Sequence, residues 1–127
     1  MNEKNFFEKL GIKKDKEKEL WNRIEEIMKK IENYIYPDSN PGEMMEAETI
    51  EKEKKEKLWG LYKKLQQIKN IYLKYSLFND KKAKKEFIKE TIEIWPRLEK
   101  TLKHIFECLE KKWVEEKKDY RREEYIS

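Results

Sequence analysis

The chain has 127 residues, of which 46% are charged and only 37% are hydrophobic, and its net charge is +4 at neutral pH. This length predicts one domain, residues 1–127, and the small apolar share excludes a large two-layer sheet core. Helices suit such a composition because a helix needs an apolar stripe on one side only. With three glycines and three prolines there are few turns, so the sequence predicts an all-α fold of a few long helices.

The N-terminal segment, residues 1–14, is predicted to contain a short helix from Glu3 to Leu10. Gly11 suits the left-handed position just after a helix, and Ile12 would then fold back onto Phe7 in a Schellman motif. Asp15 is predicted to cap the next helix.

The first long helix is predicted to run from Asp15 to about Tyr36. Its apolar residues recur at steps of three and four, which is typical of one buried helical stripe. They are Leu20, Trp21, Ile24, Ile27, Met28, Ile31, Tyr34 and Ile35.

The second long helix is predicted to start at the Asn40 cap, with Pro41 in its first turn, and to run to Phe78. Its apolar stripe is clear only from Leu58 onward, and residues 51–57 are all charged. Residues 43–57 are therefore compatible with either a solvated helix or a loosely ordered linker.

The third long helix is predicted to follow a cap at Asn79–Asp80 and to end near Tyr120, before a frayed tail of residues 121–127. Pro96 interrupts it, yet the apolar phase continues through the proline without a slip. A continuous helix kinked at Pro96 explains both observations. The expected architecture is an antiparallel bundle of three long helices plus the short N-terminal helix.

The charge is strongly uneven along the chain. Between Lys57 and Lys89 there are ten lysines and two acids, Asp80 and Glu86. This block spans the turn between the second and third helices, so it gathers at one tip of the bundle. Lysines at a helix start oppose the helix dipole, and their presence there indicates an anionic partner. The candidate anion-binding residues are Lys63, Lys64, Lys69, Lys74, Lys81, Lys82, Lys84 and Lys85, with Tyr72, Tyr75 and Phe78 as candidates for stacking on bases.

Several partners fit a lysine-rich tip. The first interpretation is a non-enzymatic interaction module or small accessory subunit that binds an anionic partner, such as an acidic protein surface, through this tip. The second is a nucleic-acid-binding protein that contacts the backbone without sequence preference, because lysines read base edges poorly. An anionic membrane is less favoured, a homodimer is a further arrangement, and a merely solvated charged face is the simplest alternative.

Apolar residues near Phe78 cover most of the helix circumference rather than one stripe. One explanation is that the N-terminal segment, with Phe6 and Phe7, folds over this end of the bundle. The other is an exposed patch for a partner helix or a second copy. We expect the first arrangement.

Arg97 and His104, the only histidine, are seven residues apart and fall on one side of the third helix. An Arg and a His separated by six residues, on the last helix of a small all-helical domain, resemble the motif of the HEPN ribonuclease superfamily. The resemblance implies that Arg97 and His104 of two protomers meet across a dimer and cleave RNA. Leu98 departs from the family pattern, which usually has a polar residue there. The shared helix face alternates acids and bases, as solvated surfaces do, so no enzyme is predicted.

The sequence lacks the residues that a zinc site or a phosphate-binding loop requires. One histidine and one cysteine, Cys108, cannot supply the usual four zinc ligands, and no glycine spacing suits a phosphate loop. No metal or cofactor is expected. The single cysteine and the absence of a signal peptide or a long apolar run favour a cytoplasmic protein. Heavy lysine and glutamate use is typical of hyperthermophile surfaces, and an AT-rich genome would give the same bias.

Overall fold

The computed structural model describes residues 2–36 and 41–126, with the side chains of residues 2–36, 41–42 and 44–115. Five helices occupy these residues: α1 (Glu3–Leu10), α2 (Lys16–Ile35), α3 (Pro41–Thr49), α4 (Lys52–Phe78) and α5 (Lys81–Ile126). No strand occurs in the described parts of the chain, which confirms the all-α prediction. The Asn40 cap predicted for the second long helix lies outside the described residues.

The first helix ends as the sequence predicts. Gly11 adopts a left-handed conformation with φ of 72°. Its N–H donates to the Glu8 carbonyl, and the Ile12 N–H donates to the Phe7 carbonyl at 3.0 Å. This pattern satisfies the last carbonyls of α1 and brings Ile12 into the core beside Phe7.

The start of α2 differs from the prediction. Asp15 occupies the cap position, but its φ is 47° and its side chain makes no capping hydrogen bond. A side-chain cap requires extended backbone at that residue, so the left-handed Asp15 does not supply one. The capping side chain in this region belongs instead to Asn2, whose Oδ1 accepts from the Asn5 N–H at 2.8 Å at the start of α1.

Helices α2 and α4 pack against each other in opposite directions. Near the start of α2, the Trp21 ring stacks on Tyr72 with centroids 5.0 Å apart. At the other end of α2, Tyr36 meets the edge of Trp59 at 6.4 Å. The buried stripe of α4 consists of Leu58, Leu61, Leu65 and Ile68, as the apolar spacing predicts.

The predicted uninterrupted helix from Asn40 to Phe78 is wrong, because α3 ends at Thr49 and α4 begins at Lys52. Ile50 between them is buried in the main core, and the Thr49 hydroxyl donates back to the Met45 carbonyl at 2.9 Å. Glu51 has an extended backbone, with ψ of 150°, so the chain leaves the helical path directly after Ile50. The open question over residues 43–57 thus resolves into two helices separated by a short break.

Helix α3 lies across the other end of the molecule from the α4–α5 turn. Glu46 accepts from the Lys30 ammonium at 3.3 Å on α2. It also accepts from the indole N–H of Trp113 at 3.4 Å on α5. A single carboxylate of α3 therefore links the end of α2 with the second half of α5.

Helix α5 passes through Pro96 without a break, so the continuity that the apolar phase predicts is present. The kink itself stays a prediction. Asp80 caps α5, because its Oδ1 accepts from the N–H groups of Lys82 at 3.0 Å and Ala83 at 3.2 Å. The helix extends to Ile126 rather than ending near Tyr120, since no glycine or proline follows Tyr120 to stop it.

The short helix α1 packs against α5. The Phe6 ring meets the edge of the Trp95 ring at 5.6 Å, and Lys9 pairs with Glu99 at 3.1 Å. Because α1 covers a second side of α5, the buried residues of α5 extend beyond the stripe of Phe87, Thr91, Ile94 and Leu98 and include Ile88.

Candidate functional site

The tip formed by the end of α4 and the start of α5, residues 73–85, is called the hairpin tip. Asn79 turns the chain in the left-handed conformation, with φ of 52°, a conformation that asparagine tolerates better than most residues. Asp80 then caps α5. Two residues thus reverse the chain, and both helices present their ends together.

The hairpin tip exposes large apolar side chains. Leu77 is 70% exposed, Phe78 is 78% exposed, and Leu73 is exposed one turn earlier. The expectation that Phe6 and Phe7 cover this end is wrong. Both phenylalanines are buried, and Phe6 packs on Trp95, roughly three helical turns beyond the last residue of the tip. The alternative of an exposed patch therefore describes the tip.

The eight candidate lysines divide into paired and unpaired groups. Lys64 pairs with Glu90 at 3.1 Å, and Lys84 pairs with Glu17 at 3.2 Å. The hydrogen bond and charge of Glu17 raise the pKa of Lys84. Lys63 lies over the ring of Trp59 at 5.5 Å. The other six candidate lysines form no ion pair with any described residue. Lys69 is half-buried, and the exposed ones are Lys63, Lys74, Lys81, Lys82 and Lys85.

The start of α5 is less open to an anion than its lysines suggest. The Asp80 carboxylate already accepts from the free N–H groups of the first turn. That carboxylate offsets the positive end of the helix dipole. A partner at the tip would therefore meet lysine side chains rather than the helix terminus.

The three candidate stacking residues have different surroundings. Tyr72 is half-buried between Trp21 and Phe87, with centroids at 5.0 and 5.1 Å, and burial raises its pKa. Tyr75 lies beside Tyr72 and under the Lys84 ammonium. Phe78 alone among the three exposes most of its ring.

Arg97 and His104 lie away from the tip, in a groove between α4 and α5. The groove has a volume of about 410 Å³. Both side chains are exposed, as the helix face predicts. Two lysines of α4 line the same groove, Lys54 and Lys57. The sequence pattern did not predict that these lysines lie near Arg97 and His104. Counting residues back from the two-residue turn, with α4 and α5 antiparallel, would have placed these lysines opposite residues 101–108.

Among the residues that the structure describes, no three histidine, cysteine, aspartate or glutamate side chains converge as a metal site would require. None of the described helices is both long and apolar enough to cross a membrane.

Comparison of the chain with protein-family models, with curated proteins and with solved structures finds no match in any of the three.

Proposed function

We propose that this protein is a non-enzymatic interaction module, or small accessory subunit, that binds an acidic protein surface through the hairpin tip. The observation that carries the proposal is the exposure of Leu77 and Phe78 beside unpaired lysines. Monomeric proteins rarely expose large apolar side chains together unless a partner covers them. Lysines around such a patch favour a partner with carboxylates at its rim.

A rigid support is part of the proposal. Helices α2, α4 and α5 would form an antiparallel three-helix bundle, bent where Pro96 removes a backbone donor from α5. The bundle would hold the hairpin tip at one end. A cytoplasmic location suits a chain whose only cysteine is Cys108.

An acidic protein fits the tip better than a nucleic acid does. Leu73 and Leu77 offer aliphatic surface, which suits apolar side chains of a partner and cannot stack on bases. Tyr72 is already held between two rings and is therefore less able to stack on a base. Backbone binding of a nucleic acid is the second candidate, supported by Lys74, Lys81, Lys82 and Lys85.

A HEPN-like ribonuclease is the enzymatic alternative. It would need Arg97 and His104 of two copies to meet across a dimer, with loss of RNA cleavage in His104→Ala. Activity that persists in that variant would exclude it.

The test is fluorescence anisotropy with three probes: an acidic peptide containing leucine and phenylalanine, a polyglutamate peptide of equal charge, and a single-stranded RNA. We expect the apolar acidic peptide to bind most tightly. Leu77→Ser with Phe78→Ser should weaken its binding by about tenfold or more, because central apolar side chains dominate interface energies. Lys81→Gln with Lys82→Gln should weaken it in a salt-dependent manner.

Matched controls change similar residues elsewhere. Val114→Ser removes an exposed apolar side chain of α5, and Lys29→Gln with Lys52→Gln removes two exposed lysines. Both control proteins should bind as the wild type does. Equal losses in tip and control variants, or RNA binding that is tighter than binding of the apolar acidic peptide and is weakened by both tip variants, would overturn the proposal. Binding to vesicles containing phosphatidylserine, with no binding of the peptide, would also overturn it and assign the tip to a membrane.

A further inference from the structure

The groove between α4 and α5 is lined almost entirely by basic and apolar groups. Lys54 and Lys57 line one side, and Arg97, Lys100 and His104 line the other. The remaining lining residues are Leu61, Thr101 and Ile105. No carboxylate is among them.

The lysine and arginine side chains of this groove form no close ion pair with a described acid. Lys57, Arg97 and Lys100 form no ion pair with any residue that the structure describes. The nearest polar contact of Lys54 is the Cys108 sulfur, 3.7 Å from its ammonium. By contrast, Lys64 and Lys84 each bridge to an acid on another helix. Four fixed positive charges in one groove repel each other unless an anion lies between them.

The spacing of the basic residues suits a linear anion. Arg97, Lys100 and His104 follow one another at about one helical turn, roughly 5.4 Å along the axis. Lys54 and Lys57 repeat at the same interval on the antiparallel helix. Toward the hairpin tip, Glu93 lines the adjoining part of the groove next to Arg97, so the positive stretch ends there.

We infer that this groove binds a linear chain of phosphates, such as a polyphosphate or the backbone of a single-stranded nucleic acid. Arg97 can bind two phosphate oxygens at once through its planar guanidinium. Lys54, Lys57 and Lys100 neutralise neighbouring phosphates. Apart from the His104 imidazole, no aromatic ring lines the groove, so bases would find little stacking surface there and binding would depend on the phosphates more than on sequence.

This inference is independent of the proposed function, because the groove and the hairpin tip share no lining residue. Either one can fail while the other holds.

The test is the binding of a labelled oligouridine to two doubly substituted proteins of equal charge. Lys57→Gln with Lys100→Gln changes the groove, and Lys81→Gln with Lys82→Gln changes the tip. All four side chains are exposed, so both proteins should fold as the wild type does. The groove variant should bind about tenfold more weakly. Its slope of log K against log salt should fall by about 0.7 for each lost phosphate contact, while the tip variant keeps the wild-type slope.

His104 gives a second readout, because the chain has one histidine and its imidazole NMR signals need no assignment. These signals should shift saturably with oligouridine in the wild type and in the tip variant. Equal loss of binding in the two variants, or imidazole signals that do not move at saturation, would overturn the inference.

Inorganic tripolyphosphate distinguishes the two sources of a phosphate chain. Displacement of oligouridine with the same imidazole shift supports the inference and shows that phosphates alone suffice. Oligouridine binding that tripolyphosphate does not displace also supports it, and assigns the groove to a nucleic-acid backbone.

Discussion

Tyr34 of α2 is a buried residue whose hydroxyl has no hydrogen-bond partner. The side chain is 1% exposed, and its oxygen is unpaired among the described residues. Burial, together with the charge of Glu46 on α3, raises the pKa of Tyr34 well above its usual range. The phenolate is therefore disfavoured in the folded protein, and an unpaired buried hydroxyl costs roughly 1–3 kcal/mol.

Substituting Tyr34→Phe should leave the protein as stable or more stable by about 1 kcal/mol at neutral pH. At alkaline pH the effect should grow. The pKa of Tyr34 is higher in the folded state than the unfolded value of about 10, so the unfolded chain loses its proton first. Stability then falls as pH rises above 10, by up to about 1.4 kcal/mol per pH unit for this residue. Urea unfolding at neutral and alkaline pH would measure both effects.

The exposed Tyr36 is the matched control, because its side chain is 69% exposed. The Tyr36→Phe protein should lose alkaline stability as the wild type does. A Tyr34→Phe protein with the same alkaline loss as the wild type would contradict the role given to burial.

The two glycines Gly11 and Gly60 should respond in opposite ways to alanine. An added Cβ meets no atom within 4 Å at either position, but Gly11 has φ of +72° and Gly60 lies inside helix α4. Gly60→Ala should stabilise the protein by about 1 kcal/mol, since alanine favours helices. Gly11→Ala should destabilise it by about 1 kcal/mol because of the left-handed backbone. Thermal unfolding of both variants measures this, and a stabilising Gly11→Ala would contradict it.

At the scale of elements, helix α1 is held by its phenylalanines. Phe6 and Phe7 are both 1% exposed, and Phe6 packs edge-on against Trp95 of α5. The pKa of Glu99 is lowered by hydrogen bonds from Lys9 and Lys103, but this ion pair is at the surface and contributes little. Apolar burial therefore anchors α1.

We expect Phe6→Ala to destabilise the protein by about 3–5 kcal/mol, as loss of a buried ring usually does. Leu77→Ala at the hairpin tip should change the free energy of unfolding by less than about 0.5 kcal/mol. Chemical denaturation of the two variants gives both values. A large loss in Leu77→Ala would mean that Leu77 is covered in solution by this chain or a second copy.

The helix ends that the sequence predicted correctly are those determined by residues close to them along the chain. The Gly11 stop and the Asp80 cap each depend on residues within one turn of the helix end. The break at Ile50 and the packing of α1 on Trp95 depend on which side chains from distant parts of the chain pack together in the core. No local pattern distinguishes an isoleucine that continues a helix from one that leaves it to enter the core.

At the scale of the whole molecule, the positive charge forms two separate surfaces. The lysine count along the chain pointed to the hairpin tip, because those residues are close in sequence. The groove combines Lys54 and Lys57 with Arg97, Lys100 and His104, which are about forty residues away along the chain. Only the register between α4 and α5 brings them together, and composition carries no information about register.

The four tryptophans lie at three of the junctions between helices. Trp21 and Trp59 are at opposite ends of the contact between α2 and α4, Trp95 is under α1, and Trp113 is against α3. The chain thus has built-in fluorescent labels at three separate places in the fold. Versions retaining a single tryptophan would reveal which junction opens first as the protein unfolds.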